Sequence, residues 1–102
     1  MHVKSTNSFF LVPPQWKDTP TSFLQVEEGS DVTLKCSAIG TPTPIVQWMR
    51  PFIGLPTNRT TVNISGLFIK RVTKTDNGIF VCKAKNILGE LTAAINVNVQ
   101  GN

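Results

Sequence analysis

Histidine occurs once in this 102-residue chain, as His2, and that scarcity removes the commonest general base. Carboxylates are few as well, and Asp18, Glu27, Glu28, Asp31, Asp76 and Glu90 form no motif that sets an acid against a base. No nucleophile stands with an activating partner, so an enzyme is not expected. Long apolar runs are also lacking: nothing approaches the roughly 18 continuous residues of a membrane span, and no apolar signal core follows Met1. The chain is therefore expected to be an excised module, its leader, neighbours or anchor lying outside it. Residues 1–8 are read as an N-terminal extension or, at Met1-His2, a remnant of expression. Residues 9–100 are read as one domain, since the length and 40% hydrophobic content suit one core and not two.

Acidic residues fall short of basic ones by six to ten, for a net charge of +4. The surplus is scattered. Its densest points are Lys70, Arg71 and Lys74, followed by Lys83 and Lys85. A solvated surface that keeps the domain soluble explains this better than nucleic acid binding, and weak binding of heparan sulfate is the polyanion reading retained.

No long 3.6-residue period runs through the chain, whereas two-residue alternation recurs, so the fold class is all-β. Asp31 to Ile39 reads as a strand with Val32, Leu34, Cys36 and Ala38 inward and Thr33, Lys35 and Ser37 outward. Gly40 to Pro44 breaks the ladder, because proline lacks the amide donor, and forms a loop. Ile45 to Arg50 follows with Val46 and Trp48 inward. Pro51, Gly54 and Pro56 then leave little room for extra strands. Thr60 to Ile64 reads as a strand, and Leu67, Ile69 and Val72 supply the inward face of the next. The last two strands are Gly78 to Lys85, with Phe80, Cys82 and Ala84 inward, and Leu91 to Val99, with Ala93, Ile95, Val97 and Val99 inward. Asn86 to Gly89 is the hairpin between them. Glu27-Glu28 reads as a charged turn.

The ordered motifs Gly29-Ser-Asp31-Val-Thr-Leu-Lys-Cys36, Gly40-Thr-Pro42-Thr-Pro44, Trp48, Leu67-Phe-Ile69, Asp76-x-Gly78-x-Phe80-x-Cys82 and Ala84-x-Asn86-x-x-Gly89 resemble the immunoglobulin superfamily, intermediate (I-set) type. The resemblance covers roughly Pro13 to Val99. It implies a two-sheet sandwich with a Cys36–Cys82 disulfide across the core and Trp48 packed on the bond. Asp76 and Gly78 would build the turn before the last hairpin, Asp76 accepting hydrogen bonds there with Arg59 as its candidate partner. Phe80 departs from the family, which usually carries a tyrosine whose hydroxyl bonds back to that corner. A disulfide implies an oxidising compartment; the alternative is a cytosolic muscle-type filament domain with unpaired thiols. Cysteines joined to each other cannot serve zinc, and neither a metal nor a cofactor is expected.

The N-terminal segment Val12-Pro13-Pro14-Gln-Trp16-x-x-x-Pro20 is similar to immunoglobulin repeats of Dscam-type cell adhesion molecules, shortened forms included. That similarity implies homophilic recognition between cell surfaces by a membrane-anchored parent. Asn58-Arg-Thr60 and Asn63-Ile-Ser65 are glycosylation sequons in keeping with the secretory route. Two sheet faces compete as the contact. One carries Thr33, Lys35, Val62 or Asn63, Phe68 and Lys70 outward, with Phe68 as the aromatic anchor. The other carries Ile45, Gln47, Met49, Ile79 and Val81, more apolar than a solvated sheet usually is. The Dscam-type resemblance favours the first; a glycan on Asn63 would obstruct it. A heterophilic receptor domain and a structural spacer are the alternatives to a homophilic adhesion module.

Overall fold

A computed structural model describes residues 10–56 and 58–101; the expected N-terminal extension, with Met1 and His2, lies outside them. Among the described residues nine strands follow one another: β1 (Val12–Asp18), β2 (Phe23–Glu27), β3 (Val32–Lys35), β4 (Ser37–Thr41), β5 (Ile45–Met49), β6 (Thr60–Asn63), β7 (Gly66–Ile69), β8 (Gly78–Asn86) and β9 (Gly89–Gln100). A 3-10 turn at Lys74–Asp76 joins β7 to β8.

One layer is the four-stranded sheet β2-β9-β8-β5. The other combines the sheet β3-β7-β6 with the ladder β1-β4, because β3 and β4 are a single chain run interrupted only at Cys36. The expected strand Asp31 to Ile39 is thus divided between two partners, its first half pairing β7 and its second half β1. Gly40 and Thr41 also belong to β4 rather than to the loop assigned to them.

The core follows the period of two. Leu34, Leu67, Ile69, Val72, Phe80, Ile95, Val97 and Val99 are buried between the layers. Cys36 and Cys82 are bonded through this core, and Trp48 stands directly across from Cys82 in the β5–β8 register, which puts its ring beside the bond. The sandwich and its disulfide are therefore as the sequence led us to expect.

Two strands were not anticipated. The segment before Gly29 supplies β1 to one layer and β2 to the other, β2 running parallel to β9 from Phe23↔Asn96 to Glu27↔Gln100. Glu27 consequently closes a strand, and its carbonyl accepts the Ser30 amide at 3.1 Å in the turn that follows. No further strand lies between β5 and β6 among the described residues, in keeping with Pro51, Gly54 and Pro56.

Candidate protein-binding surface

The surfaces are held by a polar corner where β5, the 3-10 turn and the approach to β6 meet. Asp76 is fully buried and receives Arg59 in bidentate fashion, Nη2 to Oδ1 at 2.8 Å and Nη1 to Oδ2 at 2.9 Å. Its Oδ2 also accepts the Thr73 amide at 2.8 Å. Burial pushes this carboxyl up, but the hydrogen bonds from Arg59 and Thr73, with the charges of Arg59 and Arg50, outweigh it and hold the group below the ordinary carboxylate range. The Asp76 hydrogen bond in turn holds Arg59 above its ordinary value. This is a paired carboxylate with hydrogen bonds to both oxygens.

Arg50 was not anticipated as part of this corner. Its guanidinium lies 5.0 Å from the centre of the Phe80 ring, a cation–π distance, and donates from Nη2 to the Thr75 and Asn77 carbonyls at 2.6 and 2.8 Å. The corner that lacks a tyrosine hydroxyl is tied by an arginine instead. The signal was present in the parity Val46, Trp48, Arg50, which continues the inward face of β5 by one residue.

On the three-stranded sheet, β3, β7 and β6 align Thr33, Phe68 and Thr61 in one cross-strand row, and Lys35, Gly66 and Asn63 in another. Val62 pairs instead with Leu67, a core residue. Directly opposed residues share a face. Val62 is therefore on the core side, exposed only because β6 is an edge, and the expectation that it stands beside Phe68 is corrected: Thr61 does. Phe68 itself is half-buried, while Lys35 and Lys70 are exposed.

Both sequon asparagines are exposed. The Asn63 Oδ1 accepts the amides of Ser65 and Gly66 at 2.8 and 3.1 Å. Basic residues divide between the layers: Lys35 is on β3, whereas Lys83 and Lys85 are on β8.

The four-stranded sheet presents a different outer surface. Phe23, Asn96 and Ile79 form one row, Ala94, Val81 and Met49 the next, Thr92, Lys83 and Gln47 the third, and Glu90, Lys85 and Ile45 the fourth. Four large apolar side chains are open to solvent here: Ile45 at 71%, Phe23 at 51%, Ile79 at 42% and Met49 at 37%. Phe23 escaped the sequence reading because β2 did, although Phe23-Leu-Gln-Val-Glu27 alternates as a strand should. Ile87, on the hairpin beyond β8, adds an exposed apolar side chain near Ile45, and the two line a shallow depression with Gln47, Lys85 and Asn86.

Residues 14–99 match the family model described as the immunoglobulin I-set domain. The chain belongs to the immunoglobulin I-set family. This I-set domain is 32% identical over 90 residues to protein turtle homolog B of Rattus norvegicus, covering 87% of this chain and 7% of the relative. It is 41% identical over 93 residues to leucine-rich repeat and fibronectin type-III domain-containing protein 2 of Homo sapiens, covering 88% of this chain and 12% of the relative. Among solved structures it is similar to hemolin, an insect immune protein whose domain arrangement has implications for homophilic adhesion, with a TM-score of 0.79 and 35% identity over 86% of this chain and 22% of that one. The I-set domain thus spans a small fraction of the length of the curated relatives it matches.

Proposed function

We propose that this I-set domain is an adhesion and recognition module of a cell-surface protein, and that it binds a second copy of itself through the four-stranded sheet. The observation that carries the reading is the placement of large exposed apolar side chains: Phe23, Ile45, Met49 and Ile79 all stand outward on that one sheet, whereas in the other layer Phe68 is half-buried and the exposed Ile39, Val62 and Ile64 are spread over two edge strands and a turn. Apolar surface on the outside of a small domain marks a contact. The Cys36–Cys82 disulfide supports an oxidising, extracellular setting. Hemolin's link to homophilic adhesion and the Dscam-type N-terminal segment support self-recognition. The exposed Asn63 amide beside the Phe68 row supports the same choice of sheet, since a glycan there would cover Thr33, Lys35, Phe68 and Lys70.

Sedimentation equilibrium from about 1 to 200 μM, the span of weak contacts, tests this. Self-association is expected, with Ile45→Asp abolishing it and Phe68→Asp leaving it intact. Loss in Phe68→Asp alone would transfer the contact to the Thr33, Lys35, Phe68 and Lys70 face, and a wild-type monomer throughout would replace self-recognition by recognition of a different protein.

A further inference from the structure

Every edge strand has unpaired backbone amides and carbonyls, and proteins ordinarily blunt such edges with charge, proline or bulges. β1 carries Pro13, Pro14, Lys17 and Asp18 and two breaks in its register. β2 ends on Glu27 and β3 on Lys35, while β6 is short and mostly polar, Thr-Thr-Val-Asn. β4, Ser37-Ala-Ile-Gly-Thr41, is likewise uncharged, but it pairs β1 across two breaks in register. β5 combines an apolar, uncharged sequence with unbroken pairing. Ile45-Val-Gln-Trp-Met49 has neither charge nor proline, and pairs β8 residue for residue from Ile45↔Lys85 to Met49↔Val81. Among the described residues β8 is the only strand hydrogen-bonded to it, so its other side is open.

We infer that β5 is a pairing edge, where two copies of this chain join antiparallel about a two-fold axis at Gln47 and merge their four-stranded sheets into one. This rests on the self-recognition reading and specifies its geometry. The pattern of β5 is self-complementary about its centre. With Gln47 opposite its own counterpart, Ile45 meets the second copy's Met49 on the outer face, and Val46 meets the second copy's Trp48 on the inner. A two-fold contact requires such matching of a surface to itself. Apolar cross-strand pairs are the units that stabilise a sheet, and added main-chain hydrogen bonds would complete the open edge, as in other strand-addition complexes.

Charge permits the pairing. No charged residue lies on β5, and the nearest in the central row is Lys83, one strand in. Three strand spacings would separate it from its counterpart, about 14 Å. That exceeds the Debye length of about 8 Å at physiological salt, so repulsion is screened. A contact of five residues per copy is small, and its weakness suits a surface on which many copies act together.

The test is sedimentation of the whole chain over about 1 to 200 μM, with substitutions at outward positions and the thermal transition of each variant checked against the wild type. Gln47→Glu places two carboxylates opposite each other and is expected to weaken the dimer at least about tenfold, since like charges directly opposed repel. Ile45→Lys is expected to abolish the dimer, and Ile45→Lys with Met49→Glu to restore it, because each lysine then meets a glutamate of the second copy. Phe68→Asp, on the other layer and away from the edge, is expected to leave the dimer unchanged. A dimer that Ile79→Asp breaks and Gln47→Glu spares would overturn edge pairing in favour of face-to-face stacking while leaving self-recognition in place. A wild-type monomer over the whole range overturns both.

Discussion

At the scale of single residues, the corner around Asp76 divides what a sequence discloses from what it hides. The pairing of Asp76 with Arg59 was legible, because an acid two residues before a glycine at a strand entrance needs a donor and Arg59 was the candidate partner. The burial of Arg50 was not read, because an arginine ending a strand is ordinarily assigned to solvent, whatever the parity of its neighbours. Since Asp76 is held below its ordinary value in the folded state, its contribution to stability is fully present above the ordinary carboxylate range. It is lost as pH falls through the folded value. Urea unfolding at a series of pH values is expected to show stability falling on the acid side of about pH 4. Asp76→Asn is expected to be less stable by about 3 kcal/mol at neutral pH, as for a buried pair that loses one member, and to have a flatter acid limb.

Among elements, the faces of β6 and β7 show why alternation alone is incomplete. Period two fixes which residues share a face within a strand but not which of two faces meets the core, and Val62 and Asn63 were alternatives for that reason. The turn decides. Asn63 pairs with Gly66 across the two residues Ile64 and Ser65, and this register puts Val62 opposite Leu67. Gly66 adopts φ +148°, and a Cβ there would run into the Leu34 carbonyl of the neighbouring strand. Gly66→Ala is expected to destabilise the domain by more than about 2 kcal/mol, combining an unfavourable backbone conformation with displacement of β3. Thermal unfolding checks this, and Ser65→Ala, on the exposed turn, is expected to stay within about 0.5 kcal/mol of wild type. Strands β1 and β2 escaped the reading for a different reason: the prolines and short polar stretch from Pro13 to Ser22 obscure two brief alternations that serve opposite layers.

For the whole molecule, the family was the most legible feature, since motifs from Gly29 to Gly89 fall in order and each has a place in the sandwich. The surface proposed as the contact was legible in part: Ile45, Gln47, Met49, Ile79 and Val81 were read as one outward face, but Phe23 was not, because it reaches that face through the parallel register of β2 with β9. Cross-linking holds the two layers together. The Cys36–Cys82 bond closes a loop with a sequence separation of 46, which in the chain-entropy picture contributes about 4 kcal/mol. Cys36→Ala with Cys82→Ala is therefore expected to lower the denaturation free energy by at least about that amount, because two buried sulfurs leave the core as well.

The parallel pairing of β2 with β9 has a mechanical consequence. Pulling the chain apart from its two ends draws β2 and β9 in opposite directions along their length, so the hydrogen bonds from Phe23↔Asn96 to Glu27↔Gln100 bear the load together in shear. They cannot be peeled open one at a time. In the adhesion role proposed above, tension would pass through the domain, and this clasp between the first and last parts of the fold would keep the proposed contact surface assembled under load.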